Sequence, residues 1–65
     1  MKYYVYEATF TYKDEKKFNM RYRTIADNVT VARMNATHYF KKYRCKSIPF
    51  KAELTKIDLI KIYKA

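Results

Sequence analysis

The chain has 65 residues, which makes one domain, 1–65, short enough to bury only about 60% of the surface its unfolded form exposes. Lys and Arg number 15 against 6 Asp and Glu, a net charge of +9 that favours polyanionic partners: nucleic acid, a nucleoprotein or an anionic surface. The absence of glycine excludes a phosphate-cradling loop, the single cysteine excludes an internal disulfide, and no apolar run reaches the length of a membrane span.

Residues 2–12 are dominated by aromatic and β-branched side chains, as a strand requires. Side chains alternate across a strand, so Tyr4, Tyr6, Ala8, Phe10 and Tyr12 share one face. Tyr3, Val5, Glu7, Thr9 and Thr11 share the other. The first set is the more apolar and is expected under a helix; the second is expected to form an open face. Residues 13–17 are all charged and read as a turn. Without glycine a two-residue mirror-image turn is disfavoured, and a longer loop built on a type I turn is expected. Asp14 and Glu15 are adjacent there, solvated and unsuited to act as a catalytic pair. Residues 18–26 return as a second strand, with Phe18, Met20, Tyr22 and Thr24 towards the helix. Asn19, Arg21, Arg23 and Ile25 then face outwards.

The spacing predicts a helix over 28–43, with Asp27 and Asn28 as capping residues. Val29, Ala32, Ala36, Phe40 and Tyr43 recur at steps of three and four and form its core face, which Tyr39 borders. The small alanines let the helix lie close to a sheet. Lys41, Lys42, Arg44 and Lys46 gather at its C-terminal end, where cations complement the helix dipole. They also make the densest positive patch of the chain. Val31, Met34 and His38 lie on the solvent side and form a candidate protein contact.

Pro49 marks a break after Ile48. Residues 50–64 read as strand with broken alternation: Phe50, Ala52 and Leu54 share one parity, Ile57 and Leu59 the other, and Ile60 and Ile62 switch back. A bulge near 55–57 or near Leu59 accounts for this, and so does a fourth short strand. The order strand, strand, helix, strand predicts an α+β fold: a three-stranded antiparallel sheet, order 2-1-3, with one helix packed on one face.

No catalytic constellation emerges. His38 is the sole histidine, and Cys45 lies about 10 Å further along the helix axis, too far to share a metal or to form a nucleophile pair. No enzyme activity, cofactor or metal is expected. The tripeptides Asn28-Val29-Thr30 and Asn35-Ala36-Thr37 match the glycosylation pattern by chance in a chain expected in a reducing cytoplasm. Most aromatic residues lie between Tyr3 and Tyr22, more than one helix can cover. Tyr3 on the open face beside Arg21 and Arg23 therefore suggests base stacking with phosphate pairing. The binding candidates are Tyr3, Arg21, Arg23, Lys41, Lys42, Arg44 and Lys46. Tyr and Arg are equally at home in a protein interface. A core this small also leaves room for a homodimer.

The stretch Ile25-Ala26-Asp27-Asn28, followed by Ala32, Ala36 and Tyr39-Phe40, resembles a pattern in small strand-strand-helix-strand proteins of bacteriophages and mobile elements. The chain departs from the usual acidic first helical turn, carrying Val29, Thr30 and Val31 instead. The resemblance covers most of the chain. It implies the fold, a viral or plasmid origin and a site of action in the host cytoplasm, and it transfers no functional residue. Two functions are expected from the whole: binding of nucleic acid or a host nucleoprotein, or protein-mediated inhibition of a host defence or replication complex, in the manner of anti-CRISPR proteins.

Overall fold

The structure is a computed structural model that describes residues 1–47 and 52–65, with the backbone alone for residues 43–47. The described residues form β1 (Lys2–Thr11), β2 (Lys17–Ala26), α1 (Val29–Ser47) and β3 (Glu53–Lys64). The strands make one antiparallel sheet in the order β2-β1-β3, as the sequence predicts. The Tyr43 side chain, Pro49 and Phe50, for which the sequence carries expectations, lie outside what is described.

β1 and β2 pair without interruption from Lys2↔Ala26 to Thr11↔Lys17. Their connection closes with Tyr12 N–H donating to the Lys16 carbonyl at 2.8 Å and Glu15 N–H donating to the Tyr12 carbonyl at 2.9 Å. This is a turn followed by a left-handed residue, the solution usual for a three-residue hairpin loop. Glycine normally takes that last position. Here Glu15 does, with φ 69°, at a cost of about 1–2 kcal/mol. Asp14 Oδ1 offsets part of it by accepting from Lys16 N–H at 3.1 Å.

The core lies between α1 and the sheet. Tyr4, Tyr6, Ala8 and Phe10 of β1, Ala26 of β2, and Ala32, Ala36 and Phe40 of α1 are buried, with Ala52 before β3. Phe10 stacks on Phe18 at 5.1 Å and meets Phe40 edge-on at 6.4 Å. Tyr39 lies flat on Tyr22 at 4.1 Å, which fixes the helix over β2. Met20 points towards the helix but is only partly buried, because β2 is an edge strand and no described strand flanks its outer side.

Asn28 caps the helix: its Oδ1 accepts from Val31 N–H at 2.9 Å. Asp27 is exposed. Val29 does not join the core; the residue is 48% exposed. Its backbone faces inwards instead, with the carbonyl 3.5 Å from the Tyr6 hydroxyl that donates to it. The helix runs four residues beyond the expected end, to Ser47. No residue between Tyr43 and Ser47 is a helix breaker. At about 1.5 Å per residue its 19 residues span about 28 Å, close to the length of the strands below.

β3 is one strand with two irregularities, so no fourth strand is needed. The register against β1 skips Thr55 and Ile60: Phe10↔Leu54 is followed by Thr9↔Lys56, and Tyr6↔Leu59 by Val5↔Lys61. The Thr55 hydroxyl donates to the Thr9 carbonyl at 3.2 Å at the first of them. Each skip restores parity, so Leu54, Ile57, Leu59 and Ile62 all sit opposite helix-facing residues of β1.

Candidate nucleic-acid interface

The face of the sheet away from α1 is built from the alternate residues of the three strands. In register across β2, β1 and β3 lie the rows Ile25–Tyr3–Tyr63, Arg23–Val5–Lys61 and Arg21–Glu7–Asp58. The first two rows interlock. Tyr3 and Tyr63 stack with ring centroids 5.2 Å apart. The Arg23 guanidinium lies 4.7 Å from the Tyr3 ring centre. Its Nη1 donates to the Tyr63 hydroxyl at 3.1 Å. Lys61 Nζ lies 5.2 Å from the Tyr63 ring. The result is an ordered sequence of cation, ring, ring, cation on a surface that no described element covers. The hydrogen bond that Arg23 donates to Tyr63 raises the pKa of the guanidinium above its ordinary value.

The third row differs in character. Glu7 and Asp58 sit opposite one another, and each holds its own cation. Arg21 Nε donates to Glu7 Oε2 at 3.1 Å, and Lys56 Nζ lies 3.4 Å from Asp58 Oδ2. Arg21, a candidate for phosphate binding from the sequence, is therefore already matched by a carboxylate. Arg23, two residues on, pairs with rings instead.

Of the sequence candidates, the structure brings Tyr3 and Arg23 together and leaves Arg21 in the neighbouring row. Lys41 and Lys42 are exposed on the helix, across the sheet from this face. The side chains of Arg44 and Lys46 lie outside the described residues. The described candidate cations thus fall on two sides of the molecule. Val31, Met34 and His38 are exposed, Met34 at 66%. Met34 and His38 line a shallow groove of about 500 Å³ with Val29, Arg33, Thr37 and Lys41. Tyr63 and Lys61 were missed from sequence. Their face depends on the two register skips, which strand parity alone does not locate.

Among the described residues there is no group of three His, Cys, Asp or Glu side chains placed to hold a metal, and no helix is long and apolar enough to cross a membrane. Comparisons with protein-family models, curated proteins and solved structures gave no match to this chain. The resemblance to small phage proteins therefore stands on its residue pattern alone.

Proposed function

We propose that this chain is a small non-enzymatic binding protein that takes a single nucleic-acid strand on the open face of its sheet. One observation carries the reading: the Arg23–Tyr3–Tyr63–Lys61 arrangement, two stacked rings between two cations on the face of the sheet away from α1. Aromatic rings on a sheet stack unpaired bases, and the adjacent cations neutralise phosphates. Lys61 is exposed and sits over Tyr63 without a hydrogen bond to it. A base takes its place against the ring, and the ammonium turns to the neighbouring phosphate. A duplex, whose bases already stack on one another, gains only the phosphate contacts. Lys41 and Lys42 supply a second patch on the far side, which a folded RNA or a nucleoprotein reaches more readily than a straight duplex.

The test is a titration of a short single strand, of DNA and of RNA, and the matching duplex, at two salt concentrations. Single strands should bind more tightly than the duplex. Tyr63→Ala should lose about 1–3 kcal/mol with little change in salt slope. Lys41→Ala/Lys42→Ala should lower the slope by about one for each phosphate contact removed. Equal, weak binding by all the proteins would remove this reading. A protein-binding inhibitor of a host complex would then lead, favoured by Val31, Met34 and His38 exposed along one side of the helix.

A further inference from the structure

β3 is an edge strand, and no strand of the described residues pairs with its outer side. Its helix-facing row is covered at one end only. Leu54 and Ile57 are partly buried against the core. Leu59 is 38% exposed and Ile62 47%, although the β1 residues opposite them, Tyr6 and Tyr4, are buried. Ile60, at the second register skip, is exposed as well. The uncovered apolar surface therefore follows one strand and continues to its free edge.

We propose that this edge binds a second copy of the chain, β3 against β3, antiparallel about a two-fold axis that passes through Leu59 perpendicular to the sheet. The register follows from the side chains. Antiparallel neighbours about such an axis meet residues of their own face. With the skip at Ile60 counted, Leu59 lies opposite Leu59 of the second copy, and Ile57 opposite Ile62. On the open face Asp58 lies opposite Lys61 of the second copy, twice by symmetry, and Lys56 lies opposite Tyr63. Apolar residues meet apolar residues, carboxylates meet ammonium groups, and the two exposed residues of the helix-facing row are both covered.

Neighbouring registers do worse. An axis through Asp58 sets Asp58 against itself and Lys56 against Lys61. An axis through Lys61 sets that lysine against itself. An axis through Ile57 also matches charges, with Lys56 opposite Asp58 and Glu53 opposite Lys61, but it shortens the overlap and leaves Ile62 outside the pairing. Lysines and bulges on an edge normally discourage pairing. Here the lysines reject the wrong registers and find partners in the right one.

The consequence reaches the open face. The axis keeps both open faces on the same side of a six-stranded sheet. Lys56 of the second copy then stands beside Tyr63, so each copy adds a cation to the other's ring pair. The dimer itself rests on the edge and is tested without nucleic acid. A single-strand seam is a small interface, so the dimer should form and dissociate with concentration.

Sedimentation of the full chain over a dilution series should show a reversible monomer–dimer equilibrium. D58K and K61D should each shift it to monomer by tenfold or more in concentration, and the double variant D58K/K61D, which restores both pairs, should recover the dimer. In a Cys45→Ser background, Leu59→Cys should cross-link to itself under mild oxidation, since facing residues of antiparallel strands lie within disulfide reach. Ile25→Cys, on the opposite edge, should not. A monomer at every concentration, a double variant as weak as the singles, or self-linking through Ile57→Cys in place of Leu59→Cys each overturns the proposal.

Discussion

The two faces of β1 show how one ten-residue strand does two jobs. On one face Tyr4, Tyr6, Ala8 and Phe10 are shut under α1, where volume decides what fits. On the other, Tyr3, Val5, Glu7, Thr9 and Thr11 are half-buried, and charge and ring contacts order the neighbours. The covered face tolerates few changes. The open face contributes less to stability and keeps its chemistry accessible. Substitutions on the two faces should therefore separate stability from binding, and their effects should fall in a definite order.

The largest effect belongs to the seam. Ala36 is fully buried between helix and sheet. Ala36→Arg forces both a charge and a large side chain into that seam. A domain of this size is stable by roughly 3–10 kcal/mol, and the substitution should consume all of it. Circular dichroism should show no cooperative melt. Retention of the wild-type melt would mean that α1 does not lie on this face.

Next come paired truncations on one strand. Phe10→Ala should destabilise by about 3–5 kcal/mol, because the ring contacts both Phe18 and Phe40 and leaves a cavity. Tyr3→Ala removes a stacked pair and a cation–π contact at the surface and should destabilise by only about 1 kcal/mol. Urea denaturation measures both. Equal losses would mean that the open face is part of the core.

The covered face also has a pH signature. Burial raises the Tyr6 phenol above its ordinary pKa of 10.0, and the positive charge of Arg33 only partly opposes this. The stability tied to the neutral phenol is fully present below pH 10.0. As pH rises past that value the unfolded chain ionises first, and stability is lost until the folded phenol ionises too. Tyr6→Phe should remove this contribution to alkaline destabilisation, seen as a smaller fall in the urea midpoint between about pH 9 and 11. Tyr3→Phe, on the open face, provides the comparison.

Much of this contrast was legible in the sequence. Strict alternation in β1 gave both faces, the Ala32, Ala36 and Phe40 spacing gave the helix stripe, and the element order strand, strand, helix, strand led to the sheet order 2-1-3. What escaped has physical causes. Lys41, Lys42, Arg44 and Lys46 are polar on every side, so periodicity fades before the helix ends. Val29 has the spacing of a core residue, but at the first helical turn it is the backbone that faces Tyr6. β3 carries two skips, each of which reverses the apparent face of every residue beyond it. Lys61 and Tyr63 therefore had no assignable side, and the ring pair was only half visible. Arg21 and Arg23 looked alike because sequence spacing does not reveal which cation faces Glu7.

The smallest effect tests that last distinction. Arg21 and Glu7 form an exposed ion pair on the open face, one row away from Tyr3 and Arg23. Such pairs are worth about 0–1 kcal/mol to stability. Removing Arg21 alone would uncover the Glu7 carboxylate, and any loss of nucleic-acid binding would mix lost attraction with new repulsion. The double substitution Arg21→Met/Glu7→Gln removes both charges, keeps side-chain bulk and leaves the net charge unchanged. Stability should change by less than about 1 kcal/mol. Affinity for a single strand and its salt slope should both match the wild type, because the matched pair offers a phosphate little net charge. Glu7→Gln by itself should tighten binding, since it releases Arg21 to the ligand. A salt slope lowered by about one in the double variant would show that Arg21 contacts phosphate despite its partner. The binding surface would then extend from the ring pair into the acidic row.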